Sequence, residues 1–211
     1  MNARTPYADV PSLVVTGSPD QTWSLKDLCP GPGDDVEIEI GFGKGRFLVE
    51  RAAACPGVRL LGIEWRRKYV HIAQQRLTRR GTTNASVYHG DARNVLSKIL
   101  ESGTVLRIFV NFPDPWWKNR HRQRELMISV SFLAILARLL KPGGEIFIQT
   151  DVSERATKYL TMLHASSYFE NASSSGDWLS DNPFGARSDR EATCIGAGMA
   201  IYRLLFRKRI E

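Results

Sequence analysis

Apolar residues along this chain fall into short blocks with two different periods. Residues 36–40 read V-E-I-E-I, an alternation of period two that predicts a short strand. Further strands are predicted at 58–64, 85–89, 105–111 and 145–150, with a short one near Tyr168 and a last one at 200–207. Between them the apolar positions recur with the helical period, at 46–54, 66–80, 92–100, 125–140 and 153–165. Punctuation supports these limits. Pro56 follows the first helix, Gly81 the second, and Lys141-Pro142-Gly143-Gly144 closes the fourth. Residues 1–34 are rich in Pro, Gly, Ser and Asp and predict an irregular arm with at most a short helix at 23–28. Residues 173–190 predict a loop.

Strands separated by single helices build βαβ units and a mainly parallel sheet. The last two strands have only a loop between them, so one strand is expected to run antiparallel at the sheet's end. The expected fold is α/β and Rossmann-like: seven strands, mainly parallel, with helices on both faces. A length of 211 residues suits one domain at 35–211 behind the arm. Apolar residues make 43% and charged residues 24%, ordinary globular usage that excludes a disordered or collagen-like chain. The longest nearly apolar run, 130–140, is broken by Ser131 and Arg138 and is too short to span a bilayer. The N-terminal residues carry no apolar signal segment. Cys29, Cys55 and Cys194 make neither a metal-ligand spacing nor a disulfide framework, as expected of a cytoplasmic protein.

Charge adds a partner class. The net charge of +7 biases the protein toward polyanions. Basic residues gather at Arg66-Arg67-Lys68, at Arg76, Arg79 and Arg80, from Lys118 to Arg124, and at Arg207-Lys208-Arg209. The run at 118–124 is the strongest candidate for phosphate contacts. The helical cluster equally suits a solvated face.

The segment Glu39-Ile40-Gly41-Phe42-Gly43-Lys44-Gly45 follows the first strand and opens the first helix. Its glycines permit a tight turn and close approach of a ligand. The spacing is G-x-G-x-G and not the G-x-G-x-x-G of dinucleotide sites. The acid before it would repel a pyrophosphate and attract an ammonium or sulfonium, which favours S-adenosylmethionine over NAD. Glu64 ends the second strand, where a carboxylate can accept both ribose hydroxyls. Asp91 follows the third and can accept from an adenine amino group. One acid at a strand end is often a helix cap. Three acids after three successive strands converge on one crevice.

The fourth strand runs into Asn111-Phe112-Pro113-Asp114-Pro115-Trp116-Trp117-Lys118-Asn119-Arg120-His121-Arg122. Two prolines stiffen the turn that presents Asp114, and tryptophans with cations suit bases and phosphates. This segment resembles the signature of the bacterial tRNA (guanine-N7)-methyltransferases. Glu39-Ile40-Gly41-Phe42-Gly43 is similar to their cofactor loop, Thr150-Asp151 to their substrate-contact segment, and Ser188-Asp189-Arg190-Glu191 to their late Thr-x-x-Glu motif. Trp117, Asn119 and Ser188 depart from the pattern. The resemblance implies a class I fold, methyl transfer from S-adenosylmethionine to N7 of the variable-loop guanine (position 46), and tRNA as partner. It implies Asp114 as the central catalytic residue; Glu39, Gly41, Gly43, Glu64, Asp91 and Asn111 at the cofactor; and Lys118, Asp151, Ser188 and Glu191 at the substrate. No metal is expected. Methyl transfer to another nucleobase or a protein amine, and a silent RNA-binding relative, are the alternatives at this point.

Overall fold

The computed structural model describes residues 7, 9–13, 20–29, 31, 33–113, 127–173 and 176–210. In chain order the elements are α1 (Leu25–Leu28), β1 (Val36–Ile40), α2 (Arg46–Ala54), β2 (Arg59–Glu64), α3 (Arg67–Arg79), β3 (Ala85–His89), α4 (Ala92–Ser97) and β4 (Val105–Asn111). They continue with α5 (Val130–Leu139), β5 (Leu140–Thr150), α6 (Ser153–His164), β6 (Phe169–Asn171), α7 (Asp189–Gly196) and β7 (Tyr202–Lys208). The strands form one seven-stranded sheet in the order β3-β2-β1-β4-β5-β7-β6. Neighbours from β3 to β5 are parallel. β7 is antiparallel to both β5 and β6, and so is the one reversed strand. The strand order changes direction between β1 and β4, where open α/β sheets carry their ligands.

Alternation along the strands separates two faces. On one, Ile38, Ile108, Val110, Ile146, Ile148 and Phe206 pack against α4, α5 and α6 through Val95, Leu96, Phe132, Leu136, Tyr159 and Leu163. On the other, α2 and α3 cover the β1–β3 side with Leu48, Val49, Val70, Ala73 and Leu77. Gly45 and Gly62 permit this closeness: a Cβ on Gly45 would stand 2.6 Å from that of Ala73, and one on Gly62 2.6 Å from Leu48. Over β4 and β5 this second face is covered by the segment before α7. Its Phe184 ring meets Phe109 and Phe147 edge-on, with centroids 4.9 and 5.1 Å away. The guanidiniums of Arg51 and Arg107 lie 5.7 and 5.5 Å from the same ring.

Register places two polar rows on this second face. Glu37, Arg107, Glu145 and Arg207 stand opposite one another across β1, β4, β5 and β7 near the amino ends of the parallel strands. Asn111, Gln149 and Arg203 stand opposite one another near the carboxyl ends.

Several limits differ from those read in the sequence. The expected helix at 125–140 begins at Val130 in the described residues, because Ser129 caps it by accepting from the Phe132 N–H. β5 starts at Leu140 and carries Lys141-Pro142-Gly143-Gly144 as an irregularity between the Val105–Leu140 and Arg107–Glu145 pairs. Residues 189–196, where no helix was expected, form α7. Part of the arm belongs to the core: Leu13, Leu25, Leu28 and Cys29 are buried in its main cluster. Ser12 bridges to His89 beside β3, and Trp23 to Ile99.

Candidate active site

One cavity of about 640 Å³ opens at the carboxyl ends of β1 to β5 and is bordered by the start of α7. Glu39, Gly41, Gly43, Glu64, Asp91, Asn111, Asp151 and Ser188 all line it. Asp114 and Lys118 lie outside the described residues.

The loop after β1 turns on left-handed backbone, with φ of +71° at Gly41, +57° at Gly43 and +78° at Gly45. A Cβ on Gly41 or Gly43 would meet open space. Those two glycines therefore leave their backbone accessible to a ligand, whereas Gly45 is required by packing against α3. Glu64 joins two loops. Its carboxylate accepts from the Gly43 N–H at 3.0 Å and from the Arg66 N–H at 2.9 Å, fixing the glycine turn against the start of α3.

Glu39 is 2% exposed. One of its oxygens accepts from Asn111 Nδ2 at 2.8 Å, and among the described residues the other, Oε2, has no hydrogen-bond partner. Burial disfavours the charged form, and Glu64 and Asp189 add like-charge repulsion, so the Glu39 carboxyl is pushed up to about 8 despite the Asn111 bond. A buried acid with an orphaned oxygen beside an open glycine turn fits a cationic ligand. Glu64 at the end of β2 fits the ribose end of the same ligand. The chemistry of the cavity thus suits S-adenosylmethionine.

Asp91 caps α4 by accepting from the Arg93 N–H at 3.0 Å and pairs with the Arg93 guanidinium, also at 3.0 Å. Partial burial would raise this acid, but the bonds from Arg93 outweigh it and hold Asp91 below the usual range. Arg93, Trp65 and Tyr69 line the same side and were not singled out in the sequence. Trp65 is 54% exposed directly after Glu64. An exposed tryptophan next to a strand-end acid was the available signal.

At the end of β4, Phe112 adopts φ +50°. Left-handed backbone is costly for a bulky residue and is commonly retained where a site requires it. The Phe112 N–H donates to the Gln149 carbonyl at 2.8 Å, which ties this turn to β5. Asp151, just past β5, accepts from Arg190 of α7. Ser188 caps α7 by accepting from the Glu191 N–H at 3.1 Å. Ser188 and Glu191 were expected to close the pocket from a loop; the structure puts them on a helix start. Glu191 is wholly buried and does not line the cavity, because it is drawn inward by Arg203 Nη2 at 3.2 Å, Gln149 Nε2 at 3.0 Å and Asn182 Nδ2 at 3.1 Å. The signal for α7 was Ser188-x-x-Glu191, the spacing of a capping box.

The basic clusters divide. Arg66 lines the cavity, and Arg79 and Arg80 are exposed. Arg207, Lys208 and Arg209 lie at the other end of the sheet. They are engaged there by Glu145, the Leu140 carbonyl and the Phe169 carbonyl. Among the described residues, no three His, Cys, Asp or Glu side chains are grouped to hold a metal, and no helix is long and apolar enough to cross a membrane.

Comparison with known proteins agrees with this arrangement. Residues 34–204 match a family described as "Putative methyltransferase". A tRNA (guanine-N(7)-)-methyltransferase of Anaeromyxobacter dehalogenans is 37% identical over 187 residues, covering 85% of this chain and 92% of the relative. Its namesake in Thermosynechococcus vestitus is 34% identical over 177 residues, covering 84% and 82%. The crystal structure of the 16S rRNA methyltransferase KamB superposes with a TM-score of 0.61 at 13% identity, covering 84% of this chain and 89% of that one, a likeness of fold. The glycine turn, the strand-end carboxylates and these relatives place the chain in the family of S-adenosylmethionine-dependent tRNA (guanine-N(7)-)-methyltransferases.

Proposed function

We propose that this protein transfers the methyl group of S-adenosylmethionine to N7 of the variable-loop guanine of tRNA. The observation that supports this most is the convergence of Glu39, Glu64, Asp91 and Asn111 with the open Gly41–Gly43 backbone on one side of a cavity whose other side carries Phe112, Asp151 and the start of α7. One side suits the cofactor and the other a polar base.

S-adenosylmethionine, when bound, supplies an electrophilic methyl on a cationic sulfur. Guanine N7 offers an in-plane lone pair and no proton, so no side chain has to act as general base. What the chain must supply is alignment and charge placement. Glu39, ionised on meeting a cation, holds the methionine end together with Asn111. Glu64 accepts from the ribose hydroxyls while its bonds to Gly43 and Arg66 keep the turn in place. Asp91 accepts from the adenine amino group.

On the substrate side, a carboxylate can accept from guanine N1–H and N2–H₂. It thereby holds the base and stabilises the positive charge that methylation creates. In our reading Asp114 is the central catalytic residue and Asp151 a second acceptor for this edge. Lys118 takes a nearby phosphate, and Ser188 borders the guanine from α7. Folded RNA is read through exposed bases and shape, which suits a splayed variable-loop guanine.

The test is incubation with labelled S-adenosylmethionine and unmodified tRNA transcripts, followed by borohydride–aniline cleavage, which breaks the chain at 7-methylguanosine. A single cleavage in the variable loop is expected. Label without cleavage would move the target to another atom. Asp114→Ala is expected to abolish turnover while calorimetric cofactor binding persists; unchanged turnover would remove Asp114 from the mechanism.

A further inference from the structure

The start of α7 is held across the cavity from two sides. Asp189, its first residue, pairs with Arg76 of α3 at 3.3 Å. Arg190, its second, donates to Asp151 beyond β5. The two pairs differ in placement. Asp189 and Arg76 are both half-exposed, whereas the Asp151 side chain is 14% exposed and that of Arg190 47%. Asp151 thus lies inside the cavity with its guanidinium partner at the rim.

Arg190 is also badly placed for its own helix. The amino end of an α-helix carries positive partial charge, which disfavours a cation in the first turn. The Asp151 contact offsets that cost. A guanine entering the site brings N–H donors that can replace those of Arg190 on Asp151, but the base is neutral and leaves the guanidinium unneutralised. A phosphodiester supplies the missing anion, in a geometry that a guanidinium matches with two parallel bonds. Asp189 keeps α7 tethered to α3 while this exchange occurs.

We propose that Arg190 is a partner-exchange residue: it neutralises Asp151 in the free protein and passes to a phosphate of the target nucleotide when the guanine takes Asp151. The proposal rests on the reading of this cavity as the site of a tRNA guanine. It makes Arg190 a determinant of polynucleotide over free base or nucleoside, since only the former brings the phosphate.

The experiment measures binding of unmodified tRNA against salt, together with methylation kinetics, for the wild type, Arg190→Gln, Arg190→Lys and Asp151→Asn. Loss of one phosphate contact should make the log–log salt slope of Arg190→Gln shallower by about 0.7–0.9. Its KM for tRNA should rise by more than its kcat changes. Arg190→Lys, which keeps the charge, should retain the slope. Asp151→Asn should retain it as well, because Arg190 is still present to meet the phosphate. A wild-type slope and KM in Arg190→Gln would overturn the proposal. An equal loss of slope in Asp151→Asn would also overturn it, since the pair would then only hold α7 in place. If the wild type binds cofactor but yields no aniline-sensitive site in any tRNA, the reading of the site fails and the proposal with it.

Discussion

At the amino ends of the central strands Glu37, Arg107, Glu145 and Arg207 stand side by side. At the carboxyl ends of the same strands, on the same face, stand Asn111, Gln149 and Arg203, joined by Glu39 and Glu191. The first row alternates in sign and saturates its acceptors. Glu37 receives Arg51 at 2.8 and 2.7 Å and Arg107 at 3.0 Å, and Glu145 receives Arg107 at 2.8 Å and Arg207 at 3.3 Å. The second is bridged by amides. Asn111 donates to Glu39, Gln149 donates to both Asn111 and Glu191, and Arg203 donates to Glu191 and to the Ser180 carbonyl. Among the described residues, Glu39 Oε2, Gln149 Oε1 and Arg203 Nε are buried there without partners. Both rows bury carboxylates. Only the row that faces the cavity leaves one without a counter-charge, which is costly in the free fold and serves to receive a cation.

This contrast can be broken at either row. The largest expected effect is in the saturated row. Glu37→Ala leaves the nearly buried Arg51 unpaired and should cost about 3–5 kcal/mol of stability in urea unfolding. Cofactor affinity of the protein that remains folded should be unchanged. A loss below about 1 kcal/mol would mean the row is not structural.

Glu39→Gln should act in the opposite sense. It removes a charge-assisted contact to the cofactor, worth about 1.5–3 kcal/mol, so calorimetry should find Kd raised roughly ten- to hundredfold. It should not destabilise the free protein at pH 8, because it relieves a buried charge.

The pH dependence follows from the same group. The free protein keeps Glu39 protonated up to about 8, whereas the unfolded chain releases that proton near the ordinary glutamate value of about 4.3. Between those limits the native state binds the extra proton, so the Glu39 contribution to stability falls as pH rises. A cationic ligand expels the proton, so its affinity should rise with pH toward about 8, by up to about tenfold per unit. Calorimetry in buffers of different ionisation enthalpy should detect proton release in the wild type and none in Glu39→Gln. The smallest effect expected is at Ser188: Ser188→Ala removes the α7 cap and should cost about 1 kcal/mol in thermal unfolding.

Legibility followed the range of the determining interaction. β1, the glycine turn and the acids ending β1 and β2 were readable because each is specified within a few residues, by period-two alternation, by positive φ and by strand ends. α7 was not, because it is only eight residues long and its anchor, Glu191, is held by Arg203 on β7 and Gln149 on β5. Gln149 itself was visible only as a polar residue in the apolar run Ile146-Phe147-Ile148, at the parity that register turns toward Asn111. The Arg207-Lys208-Arg209 run read as a candidate for RNA, yet strand direction carries it to the end of the sheet away from the cavity.

The chain by itself thus determined the order of strands and helices as far as β6, the turn that opens the cofactor loop and the set of acids at strand ends, since these depend on contacts between near neighbours. Tertiary structure alone decided which acids are paired. Glu37 meets Arg51, Asp151 meets Arg190, and among the described residues one Glu39 oxygen keeps no partner. The ionisation of a carboxylate depends on how deeply it is buried and on which donors reach it. At Glu39 those are supplied by residues far away in the sequence and brought together only by the sheet.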